Sequence, residues 1–310
     1  MPVDPQVQDY LTKLAALGLE PMVTISPATA RAMMEVETRS LGEPPAVGGI
    51  LDRSIPGPAG EIRLRITTPE GNGPFAALVF FHGGGWVVGS IATHELLARS
   101  ITNAAHLAVV SVEYRLAPEH PYPAAVEDAF AATAWVAANV ASLGIDPARI
   151  GVAGDSAGGN LAAVVALMAR DQGGPALALQ LLIYPITNDD FDTTSYRDFS
   201  TGYMLTREAM QWYWAQYVPD PGKRAEPYVS PLRANDLGGL PPALVVTAEY
   251  DVLRDEAEAY AVRLQQAGVA ALLLRYEGLI HGFLRRTAMF GKAQRAVDDI
   301  ARALHSNFNS

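Results

Sequence analysis

Ile150-Gly151-Val152-Ala153-Gly154-Asp155-Ser156-Ala157-Gly158 is a short apolar run ending in a serine set between glycines, and the stretch Ala157 to Arg170 behind it has helical composition. A run of this length suits a strand buried on both faces. Where such a strand turns sharply into a helix, the residue at the turn projects from the sheet, and glycines two positions either side leave room for the crowded backbone. Gly154 to Gly158 fits G-x-S-x-G in that strand-to-helix context, with Ser156 as the nucleophile. The five residues alone would equally suit an ordinary glycine-rich turn; the flanking elements favour the nucleophile. The helix start also directs backbone N–H groups toward a negative charge developing near Ser156.

The same alternation spreads outward. Apolar runs at Ala76 to Phe81, Leu107 to Val112, Leu177 to Ile183, Ala243 to Ala248 and Ala270 to Leu274 are separated by helical stretches. These lie near His94 to Asn103, Ala124 to Val140, Arg254 to Ala267 and Gly291 to Leu304. Strand and helix in repeated succession predict the α/β class, a mostly parallel central sheet with helices on both faces. Gly49 to Ile55 and Glu61 to Thr67 alternate apolar with charged residues, as antiparallel strands at an edge would. Two helices are expected between Asp4 and Ser40, the second capped by Ser26 with Pro27 in its first turn. Thr187 to Leu240 is too long for a simple crossover and rich in aromatics. We read residues 1–310 as one domain with a helical cap built from about 1–45 and about 187–225.

With 49% hydrophobic and 18% charged residues, the 310-residue chain is expected to bury a large core. A net charge of -10 without a basic cluster argues against a nucleic-acid partner. No basic and apolar leader opens the sequence, and no apolar stretch reaches the roughly 18 residues of a membrane span, so a cytoplasmic location is expected. The absence of cysteine excludes disulfides, thiol catalysis and thiolate metal sites.

His82-Gly83-Gly84-Gly85-Trp86 follows the run Ala76 to Phe81. Successive glycines let main-chain N–H groups turn toward an anion, and for acyl transfer that anion is the tetrahedral oxyanion. Gly83, Gly84 and Ala157 are the expected donors. A phosphate loop is excluded, since no Gly-Lys-Ser/Thr follows and the pattern is not G-x-G-x-x-G. Of six histidines, His281 lies a few residues beyond the last apolar run, at the sheet edge where chemistry gathers in a parallel sheet, and is the expected general base. His94, His106 and His305 read as surface residues, and His82 as a residue shaping the glycine loop. Asp251, just past Ala243 to Ala248, completes the order Ser, Asp, His and would orient the imidazole. Asp255 and Glu249 are its rivals, and Glu249 has a second possible role behind the oxyanion loop.

His82 to Gly85, Tyr114 to Glu119, Gly154 to Gly158, Tyr250-Asp251 with Leu253 to Asp255, and His281-Gly282-Phe283 together resemble the hormone-sensitive-lipase-like esterases of bacteria and archaea. The resemblance covers nearly the whole chain. It implies the α/β-hydrolase fold and a serine carboxylesterase that cleaves short- to medium-chain esters through an acyl-enzyme. It also implies no metal and no cofactor, and the Gly-Asp-Ser-Ala-Gly subgroup is often homodimeric. Val252 departs from the proline usual after the acid. Trp86, Tyr203, Trp212 and Trp214 are expected to shape an apolar pocket. Ligand-binding receptors on this scaffold lack the histidine that His281 supplies, while amide hydrolysis by the same triad stays open.

Overall fold

Alternate residues of Phe75–Phe81 feed opposite sides of one sheet: Ala77, Val79 and Phe81 enter one apolar core, and Ala76, Leu78 and Phe80 enter another. A strand clamped between two cores has no polar face, which is why it reads as an unbroken apolar run. The structure, a computed structural model, describes residues 2–308.

In chain order, two helices, α1 (Pro5–Ala16) and α2 (Pro27–Ser40), precede strands β1 (Gly49–Gly57), β2 (Gly60–Thr68) and β3 (Phe75–Phe81). Then α3 (Glu95–Ala105), β4 (Ala108–Glu113), α4 (Ala124–Ala138), α5 (Val140–Leu143), β5 (Ile145–Asp155), α6 (Ala157–Asp171) and β6 (Leu179–Ile183) alternate. The segment after β6 holds α7 (Thr194–Asp198) and α8 (Arg207–Tyr217), and β7 (Ala243–Tyr250), α9 (Arg254–Gln266), β8 (Ala271–Ile280) and α10 (Gly291–Phe308) complete the chain.

The eight strands lie in the order β1-β2-β4-β3-β5-β6-β7-β8. β1 and β2 pair antiparallel at one edge, β2 meets β4 antiparallel, and every other neighbouring pair is parallel. Helices α4, α6 and α9 contribute to the core on one face, while α3 and α10 fill the other with α1. The expected architecture is therefore present. Two strands outrun their apolar signal: β5 begins at Ile145, and β8 continues to Ile280, well past Leu274. As an edge strand β8 is half exposed, so Arg275 and Glu277 interrupt the apolar run without ending the strand.

Both N-terminal helices start as their sequences require. Asp4 Oδ1 accepts from Gln6 N–H at 3.0 Å ahead of Pro5, and Ser26 Oγ accepts from Thr29 N–H at 3.1 Å ahead of Pro27. Arg31 of α2 donates to the carbonyls of Val87 and Ala117 and forms a two-pronged pair with Glu119, which ties α2 to the glycine loop. Among the described residues no helix is long and apolar enough to cross a membrane.

The turn from β5 to α6 crosses the end of β3 at the limit of contact. A Cβ on Gly158 would sit 1.8 Å from the Phe81 carbonyl oxygen, a separation that no side chain tolerates. Gly158→Ala should therefore destabilise the protein by about 1–3 kcal/mol or more, measured as a lowered urea midpoint at unchanged slope. An unaltered midpoint would mean that β3 yields more readily than this packing allows.

Candidate active site

Ser156 has φ 57° and ψ -118°, a strained conformation for a residue with a side chain. It is held there by its own N–H, which donates to Ile183 O at 2.8 Å, and by its carbonyl, which accepts from Asn160 N–H at 3.1 Å and Ile186 N–H at 3.3 Å. Its Oγ lies 2.9 Å from His281 Nε2, and His281 Nδ1 lies 2.7 Å from Asp251 Oδ2. A carboxylate only accepts, so Nδ1 carries the proton and Nε2 is left to accept from the serine hydroxyl. The Asp251 carboxylate is 1% exposed and is also bonded by Leu253 N–H at 3.0 Å. Tyr184 packs against the His281 ring at 4.7 Å between centroids. The three groups arrive from the ends of β5, β7 and β8, strands that run parallel in one sheet with β6 between β5 and β7. Such a set can pass a proton from hydroxyl to imidazole while the carboxylate stabilises the imidazolium.

The glycine loop is anchored from below. Gly83 N–H donates to Asp155 Oδ1 at 2.9 Å, so it turns into the protein and away from any oxyanion. Its expected place as a donor is thereby corrected: Gly84, Gly85 and Ala157 are the ones whose N–H groups have no partner among the described residues. His94, expected at the surface, is 2% exposed and joins the same anchor: its Nε2 lies 3.3 Å from both Asp155 Oδ1 and Gly83 N, and its Nδ1 is 2.9 Å from Thr93 Oγ1. Burial alone would raise the Asp155 pKa, but attraction to His94 and Arg285 and hydrogen bonds from His94 and Gly83 outweigh it and leave the pKa below the ordinary value. His82 lies over Tyr114 at 4.2 Å, and burial, with the neighbouring His94, drives its pKa down to about 3, so it is neutral. Tyr114 OH donates to His82 O at 2.7 Å, which gives the Tyr114 to Glu119 motif its part in the loop.

Against known families, residues 78–285 match the alpha/beta hydrolase fold. The chain belongs to this family. Its relatives include the carboxylic ester hydrolase LipN of Mycobacterium tuberculosis, 41% identical over 99% of this chain and 84% of LipN, and the ethyl acetate hydrolase of Pseudomonas putida, 37% identical over 75% of this chain and 73% of that enzyme. Among solved structures it is similar to the ester-hydrolase EH1AB1 from the Lake Arreo metagenome, with TM-score 0.96 and 39% identity over 99% of this chain and 100% of that one. Within the alpha/beta hydrolases it belongs to the hormone-sensitive-lipase-like carboxylesterases, enzymes that act on small-molecule esters.

In this alpha/beta hydrolase the other expected residues divide. Trp86 and Trp214 are fully buried and meet edge-on at 5.1 Å, with Trp86 stacked on Tyr217 at 4.1 Å, so they join α8 to the glycine loop rather than line a pocket. Tyr203 and Trp212 are partly exposed, and Tyr203 stacks on Tyr250 at 5.0 Å. Val252 leaves Asp251 in reach of His281, and its carbonyl accepts from Ser195 Oγ at 2.7 Å. Asp255 is engaged by Ser195 N–H, and Glu249 accepts from Gly278 N–H at 2.7 Å on β8, so the role behind the glycine loop expected of Glu249 falls to Asp155. Glu256, which sequence reasoning missed, is buried and accepts from Thr187 and Asn188 N–H, fixing the exit from β6 to α9. Its only sequence signal is its place beside Asp255 in a helix start.

Asp155→Ala would leave Gly83 N–H and His94 without their acceptor in a dry site, at a cost of about 3–5 kcal/mol in stability at neutral pH. Because the folded pKa is depressed, that advantage of the native protein is complete above the unfolded value of about 3.9 and disappears as pH falls through the lower folded value. Urea unfolding of both proteins from pH 7 down to pH 3 checks the size and the direction.

Proposed function

We propose that Ser156 is the nucleophile of this carboxylesterase, His281 its general base and acid, and Asp251 the carboxylate that orients His281. The observation that carries this reading is the continuous chain Asp251, His281, Ser156 at 2.7 and 2.9 Å, each member at most 7% exposed. Ser156 Oγ attacks the ester carbonyl as His281 Nε2 takes its proton. The tetrahedral oxyanion is received by the N–H groups of Gly84, Gly85 and Ala157. The imidazolium then protonates the departing alcohol, and water, deprotonated by the same Nε2, releases the acid from the acyl-enzyme.

We extend the proposal to the substrate. In this reading α1, α2 and the segment with α7 and α8 form the cap, the partly exposed Tyr203 and Trp212 are its pocket aromatics, and esters with short to medium acyl chains are the expected substrates. The name of the related ethyl acetate hydrolase supports short chains. The presence of His281 in contact with Ser156 favours turnover over a receptor that binds without reacting. The homodimer implied by the resemblance belongs to the same reading, and sedimentation equilibrium distinguishes it from a monomer.

Hydrolysis of chromogenic esters from acetyl to palmitoyl tests the assignment. Activity should peak at short or medium chains, and Ser156→Ala or His281→Ala should lower kcat by roughly 10⁴-fold or more with the fold intact. Replacing exposed His305 should change neither. A Ser156→Ala protein as active as the native one would sink the mechanism.

A further inference from the structure

His281 follows the end of β8, and Gly282 behind it turns the chain at φ 71° into the short helical segment Phe283–Arg286. The Gly282 carbonyl accepts from Arg285 N–H at 3.2 Å, the local bond of that segment, and from Arg286 Nη1 at 2.8 Å. The guanidinium lies so near the turn that a Cβ on Gly282 would stand 3.0 Å from Nη1. The backbone beside the base is thus held by a side chain, and whatever fixes that side chain bears on the base.

Arg286 is 1% exposed, so its charge has to be matched inside the protein. Its Nη2 is in close contact with Glu37 Oε1 of α2, and Glu37 is the one carboxylate that pairs with it among the described residues. Tyr10 of α1 shares the contact: its ring lies 5.1 Å from the guanidinium, and its OH donates to the same Oε1 at 3.2 Å. Arg285 stands farther off, 3.6 Å from Glu37 Oε2. Burial alone would raise the Glu37 pKa, but attraction to Arg286 and Arg285 and hydrogen bonds from Arg286 and Tyr10 outweigh it. They leave the pKa below the ordinary value, so the group is charged.

We propose that Glu37 is a positioning residue for the catalytic base: its charge keeps Arg286 buried with Nη1 on Gly282 O, and the docking of α2 thereby fixes the turn that presents His281 to Ser156. The proposal rests on the assignment of His281 as the base. Glu37 touches neither substrate nor the reacting atoms, and acts through Arg286. Without its carboxylate, Arg286 is a buried cation beside Arg285, whose charge repels it, and it has to swing toward water. That movement withdraws Nη1 from Gly282 O. A displacement of about 1 Å at a reacting group, caused from a distance, can lower a rate by about 100-fold. The carbonyl keeps its local bond from Arg285 N–H, so the expected loss is smaller.

Steady-state kinetics on acetyl and butyryl esters, together with the proton NMR signal of His281 Nδ1–H, tests the coupling. Glu37→Gln should lower kcat about ten-fold on both esters at nearly unchanged KM, because acylation and deacylation alike need His281. Glu35→Gln, the same loss of charge at an exposed position of the same helix, should change nothing. Arg286→Lys should lower kcat as far as Glu37→Gln, and the double variant should be no slower than Arg286→Lys alone, since both act through one contact. The Nδ1–H signal, far downfield in a hydrogen bond to Asp251, should shift or broaden in Glu37→Gln and stay in place in Glu35→Gln. Should Arg286→Lys not fold, Glu37→Gln and the signal carry the test. Native kcat in Glu37→Gln, a rise in KM alone, multiplying effects in the double variant or an unmoved His281 signal would each overturn the proposal. A native preparation that cleaves no ester, with the signal displaced in Glu37→Gln, would uphold the positioning and count against the esterase reading.

Discussion

The contact between the end of β3 and the turn from β5 to α6 governs the rest of the site. Phe81 O fills the space where a Cβ of residue 158 would stand, and the Gly158 carbonyl in turn lies where a Cβ of residue 154 would. Two chain segments can approach this closely only without side chains, and the approach brings the glycine loop after β3 beside the serine after β5. The parallel register of the two strands, with Phe81 opposite Gly154, aligns their ends at one edge of the sheet. Ser156 and the glycine loop are thus neighbours because two strands are, and the strain at Ser156 is held by main-chain bonds to Ile183 at the end of β6, to Ile186 just beyond it and to Asn160 of α6.

A buried polar network then sets the orientation of that loop. Asp155 is adjacent to Ser156 in sequence yet serves a different partner set: it ends β5 and bonds Gly83 and His94, while the sharp turn at Ser156 presents its hydroxyl to His281. Its carboxylate draws in Gly83 N–H and His94, and the inward turn of Gly83 leaves the next two N–H groups free to face the serine. Tyr213 rests so near Gly85 that a Cβ there would meet its ring at 2.2 Å, which closes the loop from the side of α8. The loop is held between a charge below and an aromatic above, so little reorganisation is left for the moment when an oxyanion forms.

What the sequence made legible follows from the reach of each signal. Strand identity, the elbow and the order Ser, Asp, His are local patterns, and the central strands carry them because both of their faces are dry. The half-exposed β8 hid its second half for the opposite reason. Which glycine N–H turns inward depends on Asp155, residues away in sequence and opposite in space, so Gly83 looked as suitable as Gly84 or Gly85. His94 resembled a surface histidine because it follows a loop and opens a helix, and only the packing of α3 against the sheet buries it. Trp86 and Trp214 read as pocket aromatics because composition cannot tell a lining ring from one that joins two elements.

Helices α2 and α8 show how such long-range joints are made. Arg31 and Glu37 come from α2 and Trp214 from α8, and each makes its joint by a different kind of bond: a guanidinium on the Val87 and Ala117 carbonyls, a carboxylate shared by two arginines after β8, and an indole against the Trp86 indole. The carboxylate is the weakest in accounting, since one negative charge faces two buried positive ones. Glu37 Oε1 is in close contact with Arg286 and Oε2 lies 3.6 Å from Arg285, and the Nε–H of each arginine has no partner among the described residues. That sharing fastens α2 to the segment after β8, and Arg285 extends the joint to Thr38 Oγ1 and to the Thr93 carbonyl, next to the His94 that supports the glycine loop.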